Sequence, residues 1–112
     1  MSQSAYQELW IYGPYQQSLC ALINGDVGWL MYLREPGDAG FSSRNPNYNG
    51  PEDAFIDYVL SNGQRDQYPA SWALPLSIVM RAIEQFQSSG LPPDFIVWHN
   101  ESGDGFLPGP MA

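Results

Sequence analysis

Ten prolines and eleven glycines punctuate this chain, leaving one clear stretch long and regular enough for a helix, residues 75–89. Within it Leu76, Val79, Met80, Ile83 and Phe86 recur at steps of three and four, which gives one apolar stripe. Pro75 suits the first helical position, where its missing N–H costs nothing. Gly90 suits the left-handed cap beyond the last turn, and Pro92-Pro93 prevents continuation. Elsewhere the apolar runs are short and bounded by turn residues, so they read as strands. The pattern predicts an α+β fold: a twisted antiparallel sheet of about five to six strands, with one main α-helix, residues 75–89, packed on one face.

Asn24-Gly25-Asp26 separates two apolar runs, residues 19–23 and 27–33. Asn-Gly in that position is a strong short-range hairpin signal. The second run is apolar on both faces and predicts a central strand covered on at least one side by something helical. Residues 9–12 predict a first strand and residues 95–98 a last one. A second hairpin, residues 54–60 and 64–68, turns at Asn62-Gly63 and carries Asp57 and Asp66, which predicts one wet face. Residues 34–53 are rich in Gly, Pro, Asn and Ser, with Phe41 anchoring a brief strand. A polar loop of that length in a compact domain is more often functional than the average loop. Nothing divides the 112 residues, so residues 1–98 read as one domain and residues 99–112 as a loose tail.

Chemistry finds little support. Cys20 is the one cysteine, which rules out an intrachain disulfide and a cysteine-based zinc cluster; between Leu19 and Ala21-Leu22 it reads as a small buried strand residue. His99-Asn100-Glu101 matches half of a zinc-deaminase signature whose Pro-Cys-x-x-Cys half is missing. Asn45 to Gly50 resembles the start of a calcium loop, but Ile56 stands where a bidentate glutamate is required. Glu52, Asp53 and Asp57 form one tight acidic group, with no recognisable pocket around it for acid–base work. These observations point to no catalytic residue, no metal site and no cofactor. The first ten residues lack the basic and apolar regions of a signal peptide, and no apolar run approaches the roughly 20 residues of a membrane span. A soluble cytoplasmic protein is the default expectation.

Twelve carboxylates oppose four arginines, for a net charge of −8. Such a balance favours a basic partner and disfavours nucleic acid or an anionic membrane. Six of the carboxylates, Glu35, Asp38, Glu52, Asp53, Asp57 and Asp66, fall in the loop and second hairpin. Tyr48, Tyr68 and Trp72 lie in or beside the same polar segments. Rigid rings beside charges suit a protein-binding surface, although Trp72 could equally plug the end of the core before the helix. Arg44 suits either a loop staple or an interface contact.

Tyr68-Pro69-Ala70, then Pro75, Phe86, Gly90, Pro93 and Trp98, resemble immunity protein family one of bacterial polymorphic toxin systems. There an aromatic-Pro-Ala segment leads to a proline-started helix with a phenylalanine near its end, a Gly and Pro turn, and a strand closing on tryptophan. The resemblance covers residues 17–98 and is densest in the second half. It departs at Leu91, ahead of Pro92-Pro93, where the family has a basic residue. It implies an inhibitor made alongside a toxin to protect the producing cell, with the toxin's catalytic domain as partner. Some members are similar to inhibitors of deaminase toxins that act on DNA cytosine; others accompany nucleases. No binding residue carries over by motif. The resulting expectation is an acidic cap over the toxin's active site or nucleic-acid cleft, with the six carboxylates steering and Tyr48, Tyr68, Trp72 and Arg44 in contact. An acidic adaptor for a basic partner unrelated to toxins is the competing class.

Overall fold

A computed structural model describes residues 5–101. Eight strands and one helix follow in chain order: β1 (Tyr6–Tyr12), β2 (Ser18–Asn24), β3 (Val27–Leu33), β4 (Phe41–Arg44), β5 (Phe55–Val59), β6 (Arg65–Pro69), β7 (Leu74–Pro75), α1 (Leu76–Ser89) and β8 (Val97–Asn100). The main sheet is antiparallel in the order β1-β2-β3-β4-β8, with β7 pairing to β3. β5 and β6 form a separate two-stranded hairpin. The α+β reading with one main helix is therefore correct, and β3 is the central strand.

The β2–β3 hairpin closes with Asn24 opposite Val27. Its two-residue loop is Gly25-Asp26, and Gly25 takes φ 63°, where a side chain would be strained. The loop also positions the helix. Asp26 offers its carbonyl to the Leu76 N–H at 2.8 Å, while Leu74 and Pro75 pair with Gly28 and Val27. Pro75 thus caps the helix from outside rather than occupying its first turn, because it is still extended in β7. At the far end Gly90 takes φ 71° and its N–H returns to the Phe86 carbonyl.

Alternation along β1, β2 and β3 sends side chains to both faces of the sheet, and both faces are covered. Leu19, Ala21, Ile23, Leu30 and Tyr32 meet Val79, Ala82, Ile83 and Phe86 of the helix. The buried helix face is centred on Val79 and Phe86, with Ala82 and Ile83 to either side. Met80, expected in the stripe, is 43% exposed, because it lies about 100° around the helix from Val79. On the opposite face Cys20, Leu22 and Trp29 meet Tyr58, with Met31, Ile56, Leu60, Tyr68 and Trp72 packed around them. The second hairpin therefore lies across the sheet as a third layer. Asn24 Nδ2 donates to the Asp57 carbonyl at 2.9 Å, and Glu8 Oε1 accepts from the Ser61 N–H and hydroxyl, each at 2.8 Å. The sheet thus separates two cores that lie back to back.

The last strand is shifted two residues later than expected, to Val97–Asn100, pairing with β4 so that His99 faces Ser42 across the ladder. Strand structure thus continues past residue 98, where the tail was expected to begin; residues 102–112 lie outside the described residues.

Candidate functional site

Five of the ten candidate residues divide by position between the two ends of the sheet. Glu35 and Asp38 sit in the connection that leaves the top of β3, whereas the connection leaving the bottom of β4 carries Tyr48, Glu52 and Asp53. Because β3 and β4 are antiparallel, these connections lie at opposite ends. Asp38 is also committed locally. Its side chain is 5% exposed and paired with Arg34 at 2.8 Å, and it accepts the Arg34 N–H at 2.9 Å as well. The guanidinium beside it holds the Asp38 carboxyl well below the usual carboxylate range.

The lower loop is closed on itself and tied to the turn before the helix. Asn45 donates from its N–H to the Ser71 carbonyl at 2.9 Å and from Nδ2 to the Ala73 carbonyl at 3.0 Å, while its Oδ1 accepts the Asn47 N–H at 2.9 Å. This is an Asx-type turn, so the Asn45 side-chain oxygen serves the backbone. Tyr48 is partly buried, its hydroxyl donating to the Pro51 carbonyl at 2.7 Å. Glu52 and Asp53 follow, both exposed. Ala70 donates to the Ala54 carbonyl at 2.8 Å, which holds the start of β5 against the Ala70–Trp72 turn. Loop, turn and hairpin therefore form one rigid corner.

The hairpin register sorts the remaining residues. Tyr58 opposes Asp66, and Ile56 opposes Tyr68; these face the second core. Phe55 and Asp57 alternate with them and face outward, with Arg65 near Asp57 at 3.6 Å and Gln67 donating to Asp57 at 2.7 Å. Asp66 accepts from Gln64 at 2.8 Å and from the Tyr68 hydroxyl at 3.2 Å. Burial, reinforced by the Asp66 charge, pushes the Tyr68 phenol up to about 12. Asp57 and Asp66 thus stand on opposite faces of one hairpin.

Tyr68 and Trp72 are half-buried members of an aromatic stack. Tyr68 lies on Trp29 with ring centroids 4.5 Å apart and planes 11° from parallel. Trp72 continues the stack at 5.9 Å, and the Arg44 guanidinium closes it, 3.8 Å from the Trp72 ring. Arg44 also donates to the Ser42 hydroxyl and the Ser43 carbonyl, each at 2.9 Å, and approaches Glu101 to 3.6 Å. Ser42 in turn donates to Glu101. These contacts make Arg44 a staple between β4, the end of β8 and the aromatic stack. His99 and Glu101, the ends of the half-matched zinc signature, sit in and just after β8; among the described residues no cluster of three or more metal-ligating side chains occurs.

Several exposed rings escaped the sequence reading. Phe55 is 56% exposed, and Trp10 and Tyr12 on the edge strand β1 are 41% and 74% exposed. The signal was the period of two: Phe55 shares a face with the wet Asp57, and Trp10 and Tyr12 share one with Glu8. The corner thus combines exposed Glu52 and Asp53, exposed Phe55 and outward Asp57 on a braced frame, an arrangement suited to binding a basic protein surface.

Among the described residues no helix is long and apolar enough to cross a membrane. No curated protein matches the chain in sequence. The model of a family described as immunity protein Imm1 matches residues 5–100, spanning both cores, the aromatic stack and the acidic corner. The chain belongs to the Imm1 family of immunity proteins.

Proposed function

We propose that this immunity protein neutralises a nucleic-acid-targeting toxin, a deaminase or nuclease, by laying the acidic corner over the active site or cleft of the toxin's catalytic domain. Family membership implies a toxin protein as partner, which favours this reading over an adaptor unrelated to toxins. The observation that carries the finer reading is the grouping of exposed Glu52 and Asp53 with outward Asp57 and the exposed Phe55 ring. An enzyme acting on nucleic acid presents a basic cleft, and carboxylates on a rigid frame meet it as phosphates would. Phe55 supplies apolar contact at the centre of that charge. Tyr48 and Trp72 back the surface, Tyr68 and Asp66 brace it from within, and Arg44 holds the stack. Glu35 steers from the far end of the sheet, and Asp38 contributes there chiefly by ordering its loop. The role is binding, and none of these residues acts as a catalyst.

The test is co-expression with the toxin domain encoded in the adjoining reading frame, scored for growth and for a co-purified complex. Rescue by the parent chain, reduced when Glu52, Asp53 and Phe55 are replaced by Lys, Lys and Ala, supports the surface. Rescue undiminished by that triple substitution moves the interface elsewhere.

A further inference from the structure

Beside the acidic corner lies a cleft of opposite character. It occupies about 460 Å³ between the end of β4, the first turns of α1 and the segment entering β8, within the range of about 300–1,000 Å³ typical of ligand pockets. Buried Leu74 and Ile96 and partly buried Ile78 and Phe95 line it. Arg81 lies over the Phe95 ring, 4.4 Å from its centroid, and Asn47 from the lower loop joins the lining.

Arg81 stands apart electrostatically. Arg34 is paired with Asp38, Arg44 with Glu101 and Arg65 with Asp57. Arg81 alone has no carboxylate partner among the described residues, in a chain with three times as many acids as bases. Contact with the Phe95 ring positions the guanidinium, whose N–H groups remain suited to recognising a carboxylate. The cleft also meets the outer strand of the sheet: among the described residues β8 pairs only with β4 in the ladder, and Val97 is 49% exposed. An extended segment can therefore lie along that edge and place a side chain in the cleft.

We propose that the cleft receives an apolar side chain flanked by a carboxylate, presented on an extended segment of the protein partner. Arg81 takes the carboxylate, Asn47 supplies amide hydrogen bonds, and the aliphatic lining takes the apolar side chain. The inference rests on the toxin reading for the identity of the partner, not for the chemistry of the cleft. It gives the interface two contact points of opposite sign joined by one loop, which restricts the partners that fit more than an acidic patch alone does.

The test titrates the isotope-labelled full chain with acetyl-Glu-Leu-Phe-Glu-amide and its neutral analogue acetyl-Gln-Leu-Phe-Gln-amide, followed by amide chemical shifts. The expected result is perturbation at Leu74, Ile78 and Val97, with the acidic peptide binding about threefold tighter or more, as for a partly exposed charge pair. Arg81→Gln abolishes that preference, whereas Arg65→Gln on the outer hairpin face keeps it. Arg81 is exposed, so a dispersed spectrum of the variant verifies the fold. Shifts scattered elsewhere, equal response to the two peptides, or a preference surviving Arg81→Gln overturns the proposal. Failure with the peptides alongside intact rescue by Arg81→Gln removes the cleft and leaves the toxin reading standing. Failed rescue by the parent chain with the peptide preference intact removes the toxin reading instead.

Discussion

Asp38 carries its charge inside a fork of donors from Arg34, at 2.8 Å from both Nε and an outer guanidinium nitrogen. That pairing depresses its folded pKa, so its stabilisation is complete above the unfolded value near 4 and is lost as pH falls through the lower folded value. Asp38→Asn should therefore lower the urea midpoint at about pH 7 and lower it less near about pH 2. An equal loss at both would assign the effect to packing. Tyr58 presents the opposite case: the residue is 1% exposed and its hydroxyl has no hydrogen-bond partner among the described residues. Tyr58→Phe should leave stability unchanged or raise it by up to about 1 kcal/mol, since a desolvated hydroxyl is removed and no bond is lost. A drop of more than about 1 kcal/mol in denaturant melts would reveal a partner. At this scale the sequence was legible where a residue answers to its neighbours. Cys20, flanked by apolar residues, is buried, and its thiol is pushed up to about 12 by burial and, secondarily, by Glu8. Arg44 was ambiguous because Ser42 is near in sequence but Trp72 and Glu101 are brought to it by the fold.

The helix and the second hairpin differ in how much of their placement is local. Phe86 is 1% exposed and meets Tyr32 edge-on with centroids 6.1 Å apart. Phe86→Ala should cost about 3–5 kcal/mol by opening a cavity in the helix-side core, and a loss under about 1 kcal/mol would contradict the packing described. Helix bounds and cap were readable because Gly90, Pro92 and the apolar period act within a turn or two. The strands of the second hairpin were readable for the same reason, from Asn62-Gly63 and the runs around it. Its layer was not, since a period of two fits equally a strand added to a sheet edge and a ribbon laid over a sheet face. Contacts distant in sequence decide: Asn24 on the Asp57 carbonyl, and Glu8 on Ser61. Trp10 Nε1 also donates to Glu8 at 2.8 Å, and these bonds, the Ser61 N–H first, lower the Glu8 pKa. Glu8→Ala should speed amide exchange at Ser61 and along β5 while leaving β2 and β3 protected. Uniform acceleration would mean that hairpin and sheet open as one unit.

Across the whole molecule, the charge of −8 is not spread evenly over what it can do. Asp38 is spent on Arg34, Asp66 supports Tyr68, and Glu101 serves Arg44 and Ser42. Glu52 and Asp53 remain exposed beside Phe55, and it is this pair, braced by the loop and the aromatic stack, that we propose steers the toxin. The composition could announce an acidic partner-binding protein but could not separate free carboxylates from committed ones, because that division is made by the fold. The direct measurement is the association rate of the parent chain and of a Glu52→Lys, Asp53→Lys variant with the cognate toxin domain, across low to physiological salt. The association rate should fall as salt rises while dissociation changes little, and the variant should associate at least about tenfold more slowly at low salt. An association rate indifferent to salt, or a variant as fast as its parent, would contradict steering by this pair.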